Sequence, residues 1–81
     1  MSVEYYRKRI IDLRVALAKE KEAKKHDNEY YAERIRNAQP SSKASYRKSK
    51  IDRAAAHDSK IASIKHEIDM AKESLARERK K

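Results

Sequence analysis

The 81-residue chain contains no cysteine, no glycine, no tryptophan and no phenylalanine, and it has a single proline. Without cysteine, disulfide bonds and thiol chemistry are excluded. Without glycine, the phosphate-binding loops of nucleotide-binding proteins are excluded, because those loops need glycine where the backbone approaches the phosphate. No apolar run reaches the length that crosses a membrane. We therefore predict neither a nucleotide cofactor nor membrane insertion.

What the chain does contain favours helix. Asp, Glu, Lys and Arg make up 43% of the residues, and the formal net charge is +9 at pH 7. Ala, Lys, Arg, Glu, Leu and Ile are frequent, and these residues prefer helix to strand. A chain of this length forms at most one small domain, which buries a small fraction of its surface.

Apolar residues follow the same 3-4 spacing on both sides of Pro40. When positions whose numbers sum to 81 are paired, each pair sets an a position of a heptad against a d position, as two antiparallel helices require. The sequence thus predicts an all-α antiparallel two-helix hairpin, with helices over about 3–37 and 43–79 and a turn over about 38–42. The spaced apolar residues are Val3, Tyr6, Ile10, Leu13 and Leu17, and Ile61, Ile64, Ile68, Ala71 and Leu75.

Serine residues stand where the helix ends need capping groups. Ser2 is the expected N-cap of the first helix, and Ser41 or Ser42 that of the second. Proline lacks the backbone N–H and clashes with the preceding turn, so Pro40 should stop the first helix. A 40-residue shift also aligns the segment from Tyr6 to Asp12 with a similar one 40 residues later, and a true duplication stays an open question.

The predicted seam becomes polar at its middle, where it includes Glu20, Lys24, Asp27 and His57. Three interpretations remain open: a hydrated and mobile waist, polar residues that specify the register at a cost in stability, and a ligand-binding site. The dipeptide His-Asp occurs twice in this region, but adjacent residues on a helix point about 100° apart. We therefore expect no metal site.

A second apolar stripe, formed by Ile11, Val15 and Ala18, follows helical spacing beside the seam. Two helices cannot cover this stripe as well, and burying a large aliphatic side chain is worth about 1.5–3 kcal/mol. The stripe thus indicates a contact with a second hairpin or with another protein, although exposed aliphatic residues are also common on ordinary surfaces.

The most basic stretch surrounds the predicted turn, where residues 39–53 carry five basic side chains and one acidic one. Such a surface could neutralise phosphates, with a tyrosine stacking on an exposed base, or it could dock on an acidic protein surface. The candidate polyanion-binding residues are Arg34, Arg36, Lys43, Tyr46, Arg47, Lys48 and Lys50.

No catalytic constellation is evident. No serine lies in a nucleophile elbow, and the carboxylates alternate with lysine and arginine as on a solvated helix face. We predict a non-catalytic protein–protein interaction module, such as an adaptor or a partner-stabilising subunit, with no cofactor, metal or small-molecule substrate. It would use the apolar stripe and the basic ends to bind a protein partner or a second copy. The alternative hypothesis is a hairpin that binds nucleic acid or another polyanion.

The first residues lack the apolar core of a signal peptide, so we expect a cytoplasmic location, with export by a route independent of a signal peptide left open. In length and predicted topology the chain is similar to small helical hairpins that act in pairs, such as the WXG100 substrates of type VII secretion. The Trp-x-Gly turn that names this family is absent, so the resemblance implies no site residue.

Overall fold

The protein is a hairpin of two long helices. The computed structural model describes residues 2–81, with helix α1 over Val3–Asn37 and helix α2 over Pro40–Lys80. The Cα atoms extend 63 × 14 × 12 Å, and a helix of 41 residues accounts for the long dimension, since its length is about 61 Å. The predicted all-α antiparallel hairpin is confirmed.

The ends of α1 match the chemistry of their residues. The Ser2 hydroxyl oxygen accepts a hydrogen bond from the backbone N–H of Tyr5 at 3.3 Å, as predicted for an N-cap. Glu4 lies in the first turn, and Arg34 and Arg36 lie in the last turn. These charges oppose the partial charges of the helix dipole at both ends.

The predicted start of the second helix at about residue 43 is wrong, and so is the five-residue turn over 38–42. Helix α2 begins at Pro40, and only Ala38 and Gln39 separate the helices. Proline fits the first helical position, because its missing N–H has no partner there and its φ is already helical. Gln39 is the extended N-cap, without a side-chain capping bond, so neither Ser41 nor Ser42 caps the helix.

The core is a short stretch of the predicted seam near the open end of the hairpin. Among residues 2–81, four are buried, and three partly buried aliphatic residues pack against them. All seven belong to the predicted heptad positions, so the spacing identified the residues that pack. The buried residues are Ile10, Leu13, Ile68 and Ala71, and the flanking ones are Leu17, Ile64 and Leu75.

Stability should depend on this short core far more than on other aliphatic residues of α2. We expect Ile68→Ala to lower the free energy of unfolding by about 2 kcal/mol or more, because Ile68 is 7% exposed and its loss leaves a cavity. Ile51→Ala, at a site 68% exposed, should change it by about 0.5 kcal/mol or less. Urea unfolding followed by circular dichroism measures both, and equal losses would contradict the assigned core.

Candidate functional site

The predicted apolar stripe lies on α1 and is not covered by α2. Ile11 is 60% exposed and Val15 is 49% exposed, and Ala18 is exposed as well. Spacings of four and three residues place the three side chains on one face of the helix. The neighbouring residue Ile10 is buried in the seam. Adjacent residues on a helix point about 100° apart, so Ile10 and Ile11 lie on different faces.

The segment that recurs after 40 residues has the same local structure in both helices. In each copy a lysine and an aspartate four residues apart form an exposed ion pair, with N–O distances of 3.5 and 3.6 Å. The isoleucine just before the aspartate is exposed in both copies. The hairpin therefore presents similar surfaces on its two helices. These residues are Lys8, Ile11 and Asp12 in α1 and Lys48, Ile51 and Asp52 in α2.

The candidate polyanion-binding residues gather at the turn end of the hairpin, but they are not equally available. The Arg34 guanidinium lies over the Tyr30 ring, 5.0 Å from its centroid, Lys48 pairs with Asp52, and Tyr46 is half-buried. The other four basic side chains form no ion pair within residues 2–81. They are Arg36, Lys43, Arg47 and Lys50.

A shallow groove at this end combines apolar and cationic side chains. Ala32 and Ile35 of α1 line it together with Arg47, Lys50 and Ile51 of α2, and its volume is about 450 Å³. Ile51 is the most exposed large aliphatic residue of residues 2–81. The groove can thus offer both an apolar contact and two positive charges to a ligand.

A cluster of three carboxylates and three basic side chains joins the helices at the middle of the hairpin; we call it the waist cluster. Its interhelical contacts lie near the predicted register, but none of them joins two residues whose numbers sum to 81. Within residues 2–81, it makes all four side-chain hydrogen bonds between the helices. The waist cluster consists of Glu20, Lys24, Asp27, Arg53, His57 and Asp58.

His57 lies at the centre of the waist cluster. Its ring atom Nδ1 lies 2.5 Å from Glu20 Oε1, and Nε2 lies 2.6 Å from Asp27 Oδ2. Arg53 Nε donates to the same Asp27 oxygen at 2.8 Å, and Lys24 Nζ donates to Asp58 Oδ1 at 2.6 Å. Of the three interpretations left open by the sequence, the geometry favours polar residues that hold the register.

These contacts shift three pKa values. The hydrogen bond from Arg53, followed by that from His57, lowers the pKa of Asp27. The pKa of Arg53 is raised, chiefly by its bond to Asp27. The pKa of His57 is raised by its bonds to Asp27 and then Glu20, which outweigh desolvation. Each of these three shifts favours the charged form of its group.

Comparison with protein-family models, curated proteins and solved structures found no match to this chain. Neither helix of the described residues is both long and apolar enough to span a membrane. Within residues 2–81, no group of three or more His, Cys, Asp or Glu side chains is arranged to hold a metal ion.

The heptads predicted that Glu20, Lys24, Asp27 and His57 lie near one another, but they did not predict the pairing and gave no sign of Arg53. The register set Lys24 opposite His57, whereas Lys24 reaches Asp58 and His57 bridges Glu20 and Asp27. A signal was present, because Glu20 and Asp27 are seven residues apart and so share one heptad position. Two carboxylates on one stripe, with a histidine between them on the facing helix, can place an acceptor against each ring nitrogen.

Proposed function

We propose that the chain is a non-catalytic protein–protein interaction module, which packs the exposed stripe of α1 against a second helical hairpin or a larger protein. The observation that carries the proposal is the 60% exposure of Ile11 and the 49% exposure of Val15, side by side on one helix face. Covering such a face is favourable, since each buried aliphatic side chain contributes about 1.5–3 kcal/mol.

The total surface agrees with an interaction role. The chain exposes 6209 Å², whereas a compact monomer of its mass, 9.5 kDa, is expected to expose about 5,000 Å². A rod of two helices leaves each helix in contact with one neighbour only, and the excess area is the consequence. A partner hairpin laid along α1 would restore a more ordinary ratio of buried to exposed surface, as in four-helix bundles.

The stripe should control association. We expect the wild-type chain to form dimers or larger oligomers at micromolar concentrations, and Ile11→Gln/Val15→Gln to remain monomeric, because glutamine keeps helix propensity and removes the apolar contact. Sedimentation equilibrium measures the mass of both. Ile51→Gln is the matched control, since it removes an isoleucine of the other helix that is 68% exposed, against 60% for Ile11.

A wild-type chain that is monomeric and stably helical at high micromolar concentration would rule out the second copy as the partner. The heterologous form of the proposal is then tested by quantitative co-purification of tagged variants from the native host. Equal recovery of the same proteins with the wild type and with the Ile11→Gln/Val15→Gln variant would contradict it.

A second candidate function is polyanion binding at the turn end. It is supported by the four basic side chains there that form no ion pair within residues 2–81. Such side chains can bind phosphates and release counterions. The half-burial of Tyr46 weakens the stacking part of this hypothesis, because a base needs the open face of a ring. Charge alone therefore supports it.

Polyanion binding should depend on the salt concentration and on these four basic side chains. Four phosphate contacts predict an affinity for single-stranded RNA that falls about 50-fold between about 50 and 200 mM salt. Replacing Arg36, Lys43, Arg47 and Lys50 together by glutamine should abolish binding in fluorescence anisotropy.

The matched control for this experiment replaces Lys19, Lys21, Lys65 and Lys72, which are exposed and lie outside the turn end. It removes the same net charge and should retain most of the affinity. Equal loss in both variants would show non-specific attraction to a basic protein, and no binding at low salt would reject the hypothesis.

A further inference from the structure

His57 contacts a carboxylate with each of its ring nitrogens, and both carboxylates belong to the other helix. The side chains of His57, Glu20 and Asp27 are only 13%, 18% and 22% exposed. An ionised carboxylate can only accept hydrogen bonds, so each ring nitrogen needs a proton to donate one. A neutral imidazole carries one such proton and would leave a lone pair facing a carboxylate oxygen.

The charge balance of the waist cluster leads to the same conclusion. With His57 protonated, its three carboxylates face three cations. The groups facing His57 from α1 are Glu20, Lys24 and Asp27, and those beside it on α2 are Arg53 and Asp58. Lys24 and Arg53 are already bonded to Asp58 and Asp27. Loss of the His57 proton therefore leaves one uncompensated negative charge between the helices.

The location of this cluster makes its charge state matter for the fold. The buried core lies toward the open end, with Leu17 and Ile64 as its flanking members nearest the waist. Within residues 2–81, no other part of the hairpin contains an interhelical side-chain hydrogen bond. The side-chain hydrogen bonds between the helices are thus confined to the waist, and the proton of His57 completes their charge balance.

We propose that His57 is a proton-operated clasp, which holds the middle of the two helices together while its ring carries two protons and loosens when one is lost. The site binds the second proton of the imidazole ring. With both ring nitrogens protonated, Glu20 and Asp27 each accept one hydrogen bond from the ring. The clasp is independent of which protein, if any, covers the stripe on α1.

The direction of the pH effect follows from the pKa shifts. His57 has an ordinary pKa of 6.5, and the folded value is raised. Its contribution to stability is then fully present below pH 6.5 and is lost as the pH rises through the folded pKa. Asp27 has an ordinary value of 3.8, and the folded value is lowered, so its contribution is lost only in acid, as the pH falls through the folded pKa.

The direct test is an NMR titration of the histidine ring nitrogens in the full-length wild-type chain. We expect His57 to titrate above 6.5, with both of its ring nitrogens protonated at pH 6. A titration at or below 6.5 would overturn the proposal. This measurement needs no variant, so it decides the matter even where a substitution prevents folding.

Removal of the acceptors tests the geometry. Asp27→Asn and Glu20→Gln each replace a carboxylate by an amide of nearly the same shape, and each should move the His57 pKa toward 6.5. The shift should be larger for Asp27→Asn, because the Asp27 bond is the larger cause of the raised pKa. A His57 titration that neither variant moves would show that these carboxylates do not bind the proton.

The pH dependence of stability tests the consequence. Between about pH 6 and about pH 9, we expect the wild-type Tm to fall by about 5 °C, the order of change that loss of one interaction causes in a domain of this size. His57→Gln should have a lower Tm at pH 6 and little change over this range. A His57→Gln variant that retains the wild-type slope would contradict the clasp.

His26→Gln is the matched control for this experiment. His26 pairs with Glu22 of the same helix at 3.1 Å and is 69% exposed, so its replacement removes a histidine without changing any contact between the helices. Its Tm should follow the wild-type curve. A flat curve for this variant as well would assign the pH dependence to histidine content in general and reject the clasp.

Discussion

The structure depends on one narrow line of apolar contact between two helices. A helix in a hairpin has a single neighbour, so it can bury only one stripe of side chains. In this chain the buried part of that stripe contains Ile10, Leu13, Ile68 and Ala71. Because this line covers little surface, most side chains remain exposed, and the middle of the hairpin is joined by polar side chains.

The first consequence is that most side chains of the hairpin lie on its outer surface. A rod of two helices, whose Cα atoms extend 63 Å by only 14 and 12 Å, has room for grooves but not for an interior site. Its outer surface combines an aliphatic stripe on α1 with a basic turn end. Apolar burial supplies affinity and complementary charge supplies orientation, and our proposal that the chain binds another macromolecule rests on these two features.

The second consequence concerns the middle of the rod, where the apolar line gives way to the waist cluster. Buried or half-buried ion pairs often contribute little net stability, because desolvation offsets attraction, but they penalise misaligned pairings strongly. A shift of one helix along the other would separate the partners in this six-residue network. We interpret the waist cluster as the element that specifies register, while the aliphatic core supplies most of the stability.

The sequence by itself determined the hairpin. Heptad spacing places apolar residues on one face of each helix, and the lone proline ends the first helix. It also identified the exposed stripe, since Ile11 adjoins Ile10 and cannot share its buried side of the helix. The predicted start of α2 at about residue 43 failed because Pro40 begins that helix. Proline fits the first position of a helix as readily as it ends the preceding helix.

Only the tertiary structure decided which waist residues bond to one another. The heptads brought Lys24 and His57 to the same level, but the ends of long polar side chains can reach a full turn in either direction. Their choice depends on charge, on the number of donors and on the position of every neighbour at once. The heptad position that Glu20 and Asp27 share lets one histidine reach both of them. Only the packed helices show that His57 does so, while Arg53 bonds to the same Asp27 oxygen.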